Sequence, residues 1–185
     1  LDVQNAFREL SDSGVELFVQ HGNRDFLLGK RFAAKAGAVL LGDEHIIEYH
    51  GHRALVMHGD SLCTDDVDYQ RFRRKSRHPI YKWCLSALPL KRRQRLATDW
   101  RAKSMAANSN KANAIMDVND LAVNEVMAKH QVNTLIHGHT HRPNRHPVTS
   151  GERIVLGDWH DLGWVLQLDG NGFDLQHFLI PDSEH

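Results

Sequence analysis

One segment of the chain has the sequence Val132-Asn133-Thr134-Leu135-Ile136-His137-Gly138-His139-Thr140-His141-Arg142-Pro143. Its apolar first half is typical of a buried strand, and the Gly-flanked imidazoles that follow are typical of a functional loop at a strand end. If the loop is extended, residues two apart point to one side, so His139 and His141 are expected to face a common space. Converging neutral imidazoles favour a transition metal over Mg²⁺ or Ca²⁺. Ordinary loop histidines, hydrogen-bonded to water, are the alternative for an isolated His-x-His pattern.

Composition and length indicate a globular protein. The chain has 185 residues, of which 41% are hydrophobic and 25% are charged, which is ordinary for a folded domain. Cys63 and Cys84 share no metal-type spacing, so no disulfide framework is expected and a reducing compartment is favoured. No apolar run approaches the roughly 20 residues of a membrane span, and no signal-peptide pattern is present. We therefore expect a protein that is soluble or rests on a membrane surface.

The net charge of zero conceals a strong internal asymmetry. Between Val67 and Lys111, thirteen Lys and Arg residues stand against only Asp68 and Asp99. Because the whole chain is neutral, the remaining residues must be acidic to the same extent. This division predicts a basic module set into an acidic body, with an anionic partner on the basic side.

The basic module has a helical pattern, and Pro79 and Pro89 are expected to divide it into at least three helices. We predict a helical cap insertion over residues 66–113, between two parts of a core domain at 1–65 and 114–185. A solvated helix face is the usual explanation of a charge run. Here Trp83-Cys84-Leu85 stands near Lys91-Arg92-Arg93, a pattern that favours contact with a membrane surface.

The core alternates short helices and strands. Helices are predicted over 1–13, Lys30–Ala36 and Ile115–His130, with Gly37 ending the second. Strands are predicted over 15–20, 39–41, 45–49, 53–57, 153–156, 163–168 and 172–180, with a tight turn at His50–His52. Two of these strands lead into further polar loops, Gly22-Asn23-Arg24-Asp25 and His58-Gly59-Asp60.

These two loops and the Gly138–His141 loop occur in the order and approximate spacing of the calcineurin-like metallophosphoesterases, which the chain resembles. The resemblance implies an α/β (α+β) fold, a four-layer αββα sandwich with an inserted helical cap. It implies two divalent metal ions, with Asn23, His58 and His139 as ligands of one and His141 of the other. Such a pair would activate a hydroxide and neutralise a phosphate. Arg24 and His139 are the implied catalytic residues, and a plain surface role is the alternative for Arg24.

A closer resemblance rests on Asn23–Leu27, His58–Asp66, Ser104–Ser109, Ile115–Asn119 and His137–Pro143. These segments are similar to the UDP-2,3-diacylglucosamine diphosphatases of lipid A synthesis, and the similarity covers nearly the whole chain. It implies hydrolysis of UDP-2,3-diacylglucosamine to UMP and 2,3-diacylglucosamine 1-phosphate (lipid X), with Mn²⁺ as the metal. The implied substrate-binding residues are Asn23, Arg24, Asp66, Ser104, Asn108, Lys111 and His139. It also implies a monomer on the cytoplasmic side of a Gram-negative inner membrane, without a nucleic-acid partner.

One departure from the family pattern affects the metal site. The opening Asp-x-His strand and the next Gly-Asp loop, which supply a carboxylate shared by both ions, are missing from residues 1–25. Asp158-Trp159-His160 resembles the first of these motifs and Gly42-Asp43-Glu44 resembles the second, but neither lies at the right place in the chain order. We therefore expect the first segment to be an ordinary late strand end and the second to be a turn. The chain by itself is therefore expected to bind at most one ion well and to hydrolyse poorly.

Two other functions stay open on the sequence alone. One is a metallophosphoesterase that acts on a different phosphodiester or phosphomonoester. The other is a catalytically inactive binding module on the same fold, which the incomplete ligand set favours and the joint presence of Asn23, His58, His139 and His141 disfavours.

Overall fold

The computed structural model describes residues 2–108 and 117–180. Its helices are α1 (Asp2–Asp12), α2 (Lys30–Ala36), α3 (Val67–Arg77), α4 (Pro79–Ala87), α5 (Leu90–Asn108) and α6 (Asp120–His130). Its strands are β1 (Leu17–Val19), β2 (Ala38–Leu40), β3 (Glu44–Tyr49), β4 (His52–Met57), β5 (Thr134–His137), β6 (Asn144–Val148), β7 (Gly151–Val155), β8 (Leu162–Asp169) and β9 (Gly172–Leu179). The predicted α/β class is confirmed.

A mixed five-stranded sheet with the order β3-β4-β5-β7-β6 forms the centre of the molecule. Strands β4, β5 and β7 are parallel, and β3 and β6 run antiparallel at the two edges. The last residues of β4 and β5 are in register, Met57 opposite His137. The loops that begin at His58 and Gly138 therefore leave the sheet side by side, and the Gly138 amide donates to the His58 carbonyl at 3.1 Å.

The two faces of the central sheet are covered by different kinds of structure. One core cluster joins Leu55 and Leu135 of the sheet to Val123 and Met127 of α6. On the other face, Ile136 and Ile154 belong to a second cluster, against which the apolar residues of the β8–β9 hairpin pack. The structure therefore has three layers here: helix α6, the central five-stranded sheet and the β8–β9 hairpin. All four residues of β5 are buried because this strand lies between both clusters.

Strands β1 and β2 form a separate parallel pair beside this core. Gln20, directly after β1, donates through Nε2 to the carbonyl oxygens of Gly42, at 2.7 Å, and Val56, at 3.2 Å. These hydrogen bonds join the end of β1 to the central sheet. The polar loop at residues 22–25 consequently starts close to the end of β4.

Helices α3, α4 and α5 occupy the region predicted to be the cap, and they break at Pro79 and Pro89 as expected. Trp100 of α5 packs against the other two helices. Its ring centroid is 5.8 Å from that of Phe72 in α3 and 6.4 Å from that of Tyr81 in α4. Phe26, which follows the polar loop and is buried, stands 6.4 Å from the same indole ring. Among the helices that the structure describes, none is long and apolar enough to cross a bilayer.

Two local predictions were wrong. Helix α6 begins at Asp120 rather than near residue 115, because the Asn119 side chain caps it by accepting from the Leu121 and Ala122 amides at 3.0 and 3.3 Å. Leu121, in the first turn of α6, is 73% exposed. Strand β6 was not among the predicted strands. It contains Pro147 and lies at the sheet edge, where a missing amide proton is tolerated.

Candidate active site

Three loops meet at the ends of β1, β4 and β5. The backbone N–H of Asn23 donates to His58 Nε2 at 3.2 Å, and the His58 and His139 ring centroids are 5.0 Å apart. The Tyr69 ring of α3 lies 5.8 Å from the His139 ring. The structure therefore brings Asn23, His58 and His139 together, although 116 residues separate the first from the last.

The loop after β5 is not extended. The extended backbone from which we expected His139 and His141 to face a common space is therefore not present. Both residues adopt left-handed backbone, with φ of 66° and 52°, and the Thr140 amide donates to the Gly138 carbonyl at 2.8 Å. Non-glycine residues in this region carry strain, which folds maintain mainly at functional sites. His139 points towards His58 and Tyr69, whereas the exposed His141 faces Asp158, with 3.5 Å between Nδ1 and Oδ2.

The two facing imidazoles are held in the neutral form. Burial, helped by the nearby His58, lowers the pKa of His139 to about 4. Burial also lowers the pKa of His58, although the carboxylates of Asp60 and Asp25 oppose this. A neutral imidazole has one nitrogen lone pair that can bind a metal ion. In this structure the lone pair of His58 Nε2 accepts from the Asn23 backbone N–H.

His137, the first imidazole of this segment, has a structural role. It is buried at the end of β5, where its Nε2 accepts from Arg153 Nη1 at 3.2 Å, and burial lowers its pKa to about 4. Gly59 makes room for it, because a Cβ at that position would lie 2.7 Å from His137 Nδ1. Gly59 also has a φ of 102°, so the His58-Gly59-Asp60 loop needs glycine on both grounds.

Sequence reasoning missed a buried ionic cluster beneath this site, which we call the Asp60 network: Asp60, Tyr69, Arg73, Arg77 and Asp43. Asp60 is 1% exposed and accepts from the Tyr69 hydroxyl at 2.7 Å and from Arg73 Nε at 3.0 Å. Burial opposes its ionisation, but the Tyr69 hydrogen bond and the Arg73 charge outweigh this and hold the pKa of Asp60 below its ordinary value. The available signal was the four-residue spacing of Tyr69, Arg73 and Arg77, which places all three on one helix face.

The residues present fit a metal ion only in part. Asn23, His58 and His139 lie together and can offer an amide oxygen and neutral imidazole nitrogens, the donors that suit a transition metal. Within 2–108 and 117–180, however, no group of three or more His, Cys, Asp or Glu side chains is arranged to hold an ion. His141, the fourth predicted ligand, has its Nδ1 3.5 Å from Asp158 Oδ2 and lies close enough to His58 and His139 to lower the pKa of both further than burial alone does.

The predicted substrate-binding residues are distributed over the site and the cap. Arg24 is exposed next to Asn23, and Ser104 is exposed on α5. Asp66 lies at the start of α3, where its Oδ1 accepts from the Tyr69 amide at 3.1 Å. The side chain of Asn108 and the whole of Lys111 lie outside the part of the molecule that the structure describes.

The strand ends of the mixed sheet thus gather Asn23 and two neutral imidazoles beside a basic helical segment. Comparison with known proteins identifies the family. The chain is 51% identical over 182 residues to a UDP-2,3-diacylglucosamine hydrolase of Pseudomonas fluorescens, covering 96% of this chain and 73% of that protein. It is 50% identical over 186 residues to the enzyme of the same name from Ectopseudomonas mendocina, covering 98% and 77%. The chain belongs to the UDP-2,3-diacylglucosamine hydrolase family.

No protein-family model matches the chain. Among solved structures, a novel archaeal phosphodiesterase aligns over 94% of this chain and 74% of its own, with a TM-score of 0.47 and 11% identity.

Proposed function

We propose that this chain hydrolyses UDP-2,3-diacylglucosamine to UMP and 2,3-diacylglucosamine 1-phosphate. One bond between the pyrophosphate bridge oxygen and a phosphorus breaks, and water supplies the oxygen that replaces it. The observation that carries the proposal is identity of about 50% over nearly the whole chain with hydrolases named for this substrate. The convergence of Asn23, His58 and His139 at the strand ends supplies a site for the reaction.

We further propose a two-ion site, with Mn²⁺ preferred and with Asn23, His58, His139 and His141 among the ligands. Because the carboxylate that the family pattern shares between both ions is missing from residues 1–25, we expect this chain to bind one of the two ions well and to release UMP slowly. Bound divalent ions supply an activated water and neutralise phosphate charge. The neutral state of His58 and His139 supports this assignment, because a protonated ring has no lone pair to donate. In His141 the contact with Asp158 is made by Nδ1, which leaves Nε2 as the nitrogen proposed to bind the ion.

The remaining candidate residues are proposed to bind the substrate. Arg24 stands in solvent beside Asn23, and its planar guanidinium can grip two phosphate oxygens. Asp66 at the start of α3 and Ser104 on α5 are proposed to contact the diacylglucosamine part from the cap. Asn108 and Lys111 complete the proposed set, and His139 is proposed to contact the phosphate as well as a metal.

The cap is proposed to hold the acyl chains and to rest on the cytoplasmic surface of the inner membrane as a peripheral contact of a monomer. Three large apolar residues of α4 and α5 are strongly exposed, Ile80 at 66%, Trp83 at 71% and Leu90 at 60%. The exposed Lys91 and Arg92 follow directly. Apolar side chains beside cations are what an anionic lipid surface attracts, and this combination favours a membrane over a nucleic acid.

The test is a direct assay. The purified chain is treated with EDTA, dialysed, and given UDP-2,3-diacylglucosamine in detergent micelles with Mn²⁺, Co²⁺, Zn²⁺ or no metal. UMP is measured by chromatography. We expect UMP release that needs added metal and is greatest with Mn²⁺. A chain that cleaves soluble phosphodiesters such as cyclic nucleotides but releases no UMP would refute the proposed substrate.

A further inference from the structure

We propose that Arg73 and Arg77 of α3 are positioning residues: they fix the loop that carries Asn23 against the loop that carries His58, so that the first cap helix sets the geometry of the metal ligands. This inference deepens the proposed function and rests on it for the identity of the reaction. It assigns a task to two arginines that no substrate or metal needs to touch.

Arg77 makes the contact nearest to the ligands. Its Nη2 donates to the Gly22 carbonyl at 3.0 Å, and Gly22 is the residue before Asn23. The same guanidinium lies 3.4 Å from Asp43 Oδ1 and 3.5 Å from Asp60 Oδ2. Its side chain is only 15% exposed, so the group is held inside the protein. A shift of Arg77 would therefore move the backbone on which Asn23 is mounted.

Arg73, one helical turn earlier, connects the other side of the site. Its Nε donates to Asp60 Oδ2 at 3.0 Å, and its Nη2 donates to Asp43 Oδ2 at 2.9 Å. Asp60 stands two residues after His58 and is buried in the same loop. Together the two arginines join three segments that are distant in sequence: the loop after β1, the turn before β3 and the loop after β4.

The same helix face reaches the remaining ligand loop. Gln70 Nε2 donates to the Asp60 carbonyl at 2.8 Å and to the Cys63 carbonyl at 3.0 Å, which fixes the backbone after His58. Tyr69 donates to Asp60 and places its ring against His139. Helix α3 thus contacts the surroundings of three of the four proposed ligands, Asn23, His58 and His139, through one continuous face.

Arginine is specifically suited to this task. Its planar fork can donate to a backbone carbonyl and to two carboxylates at once, whereas a lysine ammonium on a flexible stem cannot keep the same directions. Ligand shells must be held to within roughly 0.5 Å to work, and groups that only orient a ligand typically contribute about 10- to 100-fold to metal affinity or activity. A purely structural ion pair would affect stability but not these two quantities.

The test compares Arg77→Lys with Arg53→Lys in the whole chain. Arg53 is a matched control, because its Nη1 also bridges distant segments by donating to the His130 and Gln131 carbonyls at 2.9 and 2.7 Å, at the opposite end of β4. Mn²⁺ affinity is measured by calorimetry without substrate, and kcat and KM are measured separately. For Arg77→Lys we expect Mn²⁺ affinity and kcat to fall by about 10- to 100-fold while KM changes by less than about threefold. Arg53→Lys should keep the wild-type Mn²⁺ affinity.

Several outcomes would overturn the proposal. These are an unchanged Mn²⁺ affinity and kcat in folded Arg77→Lys, equal losses in both variants, and wild type that releases UMP yet binds no Mn²⁺. If Arg77→Lys does not fold, Asp43→Asn, which weakens the exposed anchor of both arginines, should still lower Mn²⁺ affinity severalfold, and no change there would count equally against it. Wild type that releases no UMP but binds Mn²⁺ in an Arg77-dependent way would instead refute the proposed substrate and leave the positioning role standing.

Discussion

Helix α3 carries arginines on two faces whose surroundings are opposite. The side chains of Arg73 and Arg77 are 17% and 15% exposed and bind the carboxylates of the Asp60 network. Arg71, on the same helix, is 70% exposed and lies 3.4 Å from Asp68, which is 85% exposed. The inner arginines connect loops of the candidate active site, whereas the outer one stands in water.

This contrast indicates that the basic residues of the cap have two different roles: some form partly buried ion pairs next to the candidate active site, and others are exposed to solvent. Breaking a buried, hydrogen-bonded ion pair leaves an uncompensated charge and costs about 3 to 5 kcal/mol, while an exposed pair contributes roughly 0 to 1 kcal/mol. Counting the thirteen basic residues as one membrane-facing group, as composition suggests, therefore assigns Arg73 and Arg77 to the wrong surface. Their partners show that they belong to the site.

The largest expected effect is on catalytic activity and concerns the proposed metal ligands, which lie next to the inner face of α3. His139→Ala should lower kcat/KM for UDP-2,3-diacylglucosamine on the order of 1,000-fold, because even loss of a group that merely orients a ligand costs about 10- to 100-fold. The control is His177→Ala. His177 is an exposed residue of β9 whose ring lies against Trp164 of β8. Steady-state UMP release measures both, and similar activity in the two variants would refute the site.

The next effect separates buried from exposed carboxylates. Asp60→Ala should lower the free energy of unfolding by about 3 kcal/mol, since it leaves Arg73 and Tyr69 without their buried partner. Asp68→Ala, which removes only the exposed partner of Arg71, should cost less than about 0.5 kcal/mol. Urea unfolding in EDTA measures both. Equal losses would remove the distinction between the two faces of α3.

A third prediction uses pH on the buried side. Burial lowers the pKa of His137 from 6.5 to about 4. Between these two pH values the unfolded state binds a proton at His137, whereas the folded state does not. Stability must therefore fall as the pH drops from about 6.5 to about 4, by roughly 2 kcal/mol from this residue at about pH 5. His137→Gln, which keeps an acceptor for Arg153, should have a flatter dependence in EDTA. Parallel stability curves for the two proteins would contradict this.

The smallest effect belongs to the outer face. Arg71→Ala should change the free energy of unfolding by less than about 0.5 kcal/mol but weaken binding to phosphatidylglycerol vesicles by about fivefold, since each cation near an anionic surface contributes about 1 kcal/mol. Arg8 of α1, paired with Asp12 and similarly exposed, is the matched control because it lies outside the cap. Vesicle sedimentation measures both variants, and equal weakening would show that the cap has no special role.

Local signals in the sequence predicted much of this molecule. Gly37 ends α2 in left-handed backbone as expected, and residues 50 and 51 form the tight turn between β3 and β4 with positive φ. Alternation of apolar strands with polar loops located all three loops of the site. Each of these features depends on residues within a few positions of one another, so one sequence suffices to find them.

The features that sequence reasoning missed depend on distant partners. Asn119, which caps α6, is held by a distant contact, because its backbone N–H donates to the Leu62 carbonyl at 2.9 Å. Strand β6 likewise pairs with β7 at the sheet edge. The left-handed backbone of His139 and His141 has no signature in their side chains. The inner face of α3 had a periodic signal, but Asp43 and Gly22, which give Arg73 and Arg77 their function, are at least 30 residues away.

The central claim is that the loops carrying Asn23, His58 and His139 form one metal site, and pulsed electron paramagnetic resonance of the Mn²⁺-loaded chain tests it most directly. The account predicts ¹⁴N couplings from imidazole ligands in the wild-type spectrum, which weaken in His58→Ala and in His139→Ala and persist in His177→Ala. A spectrum of hydrated Mn²⁺ without nitrogen coupling, or couplings that neither substitution alters, would contradict it.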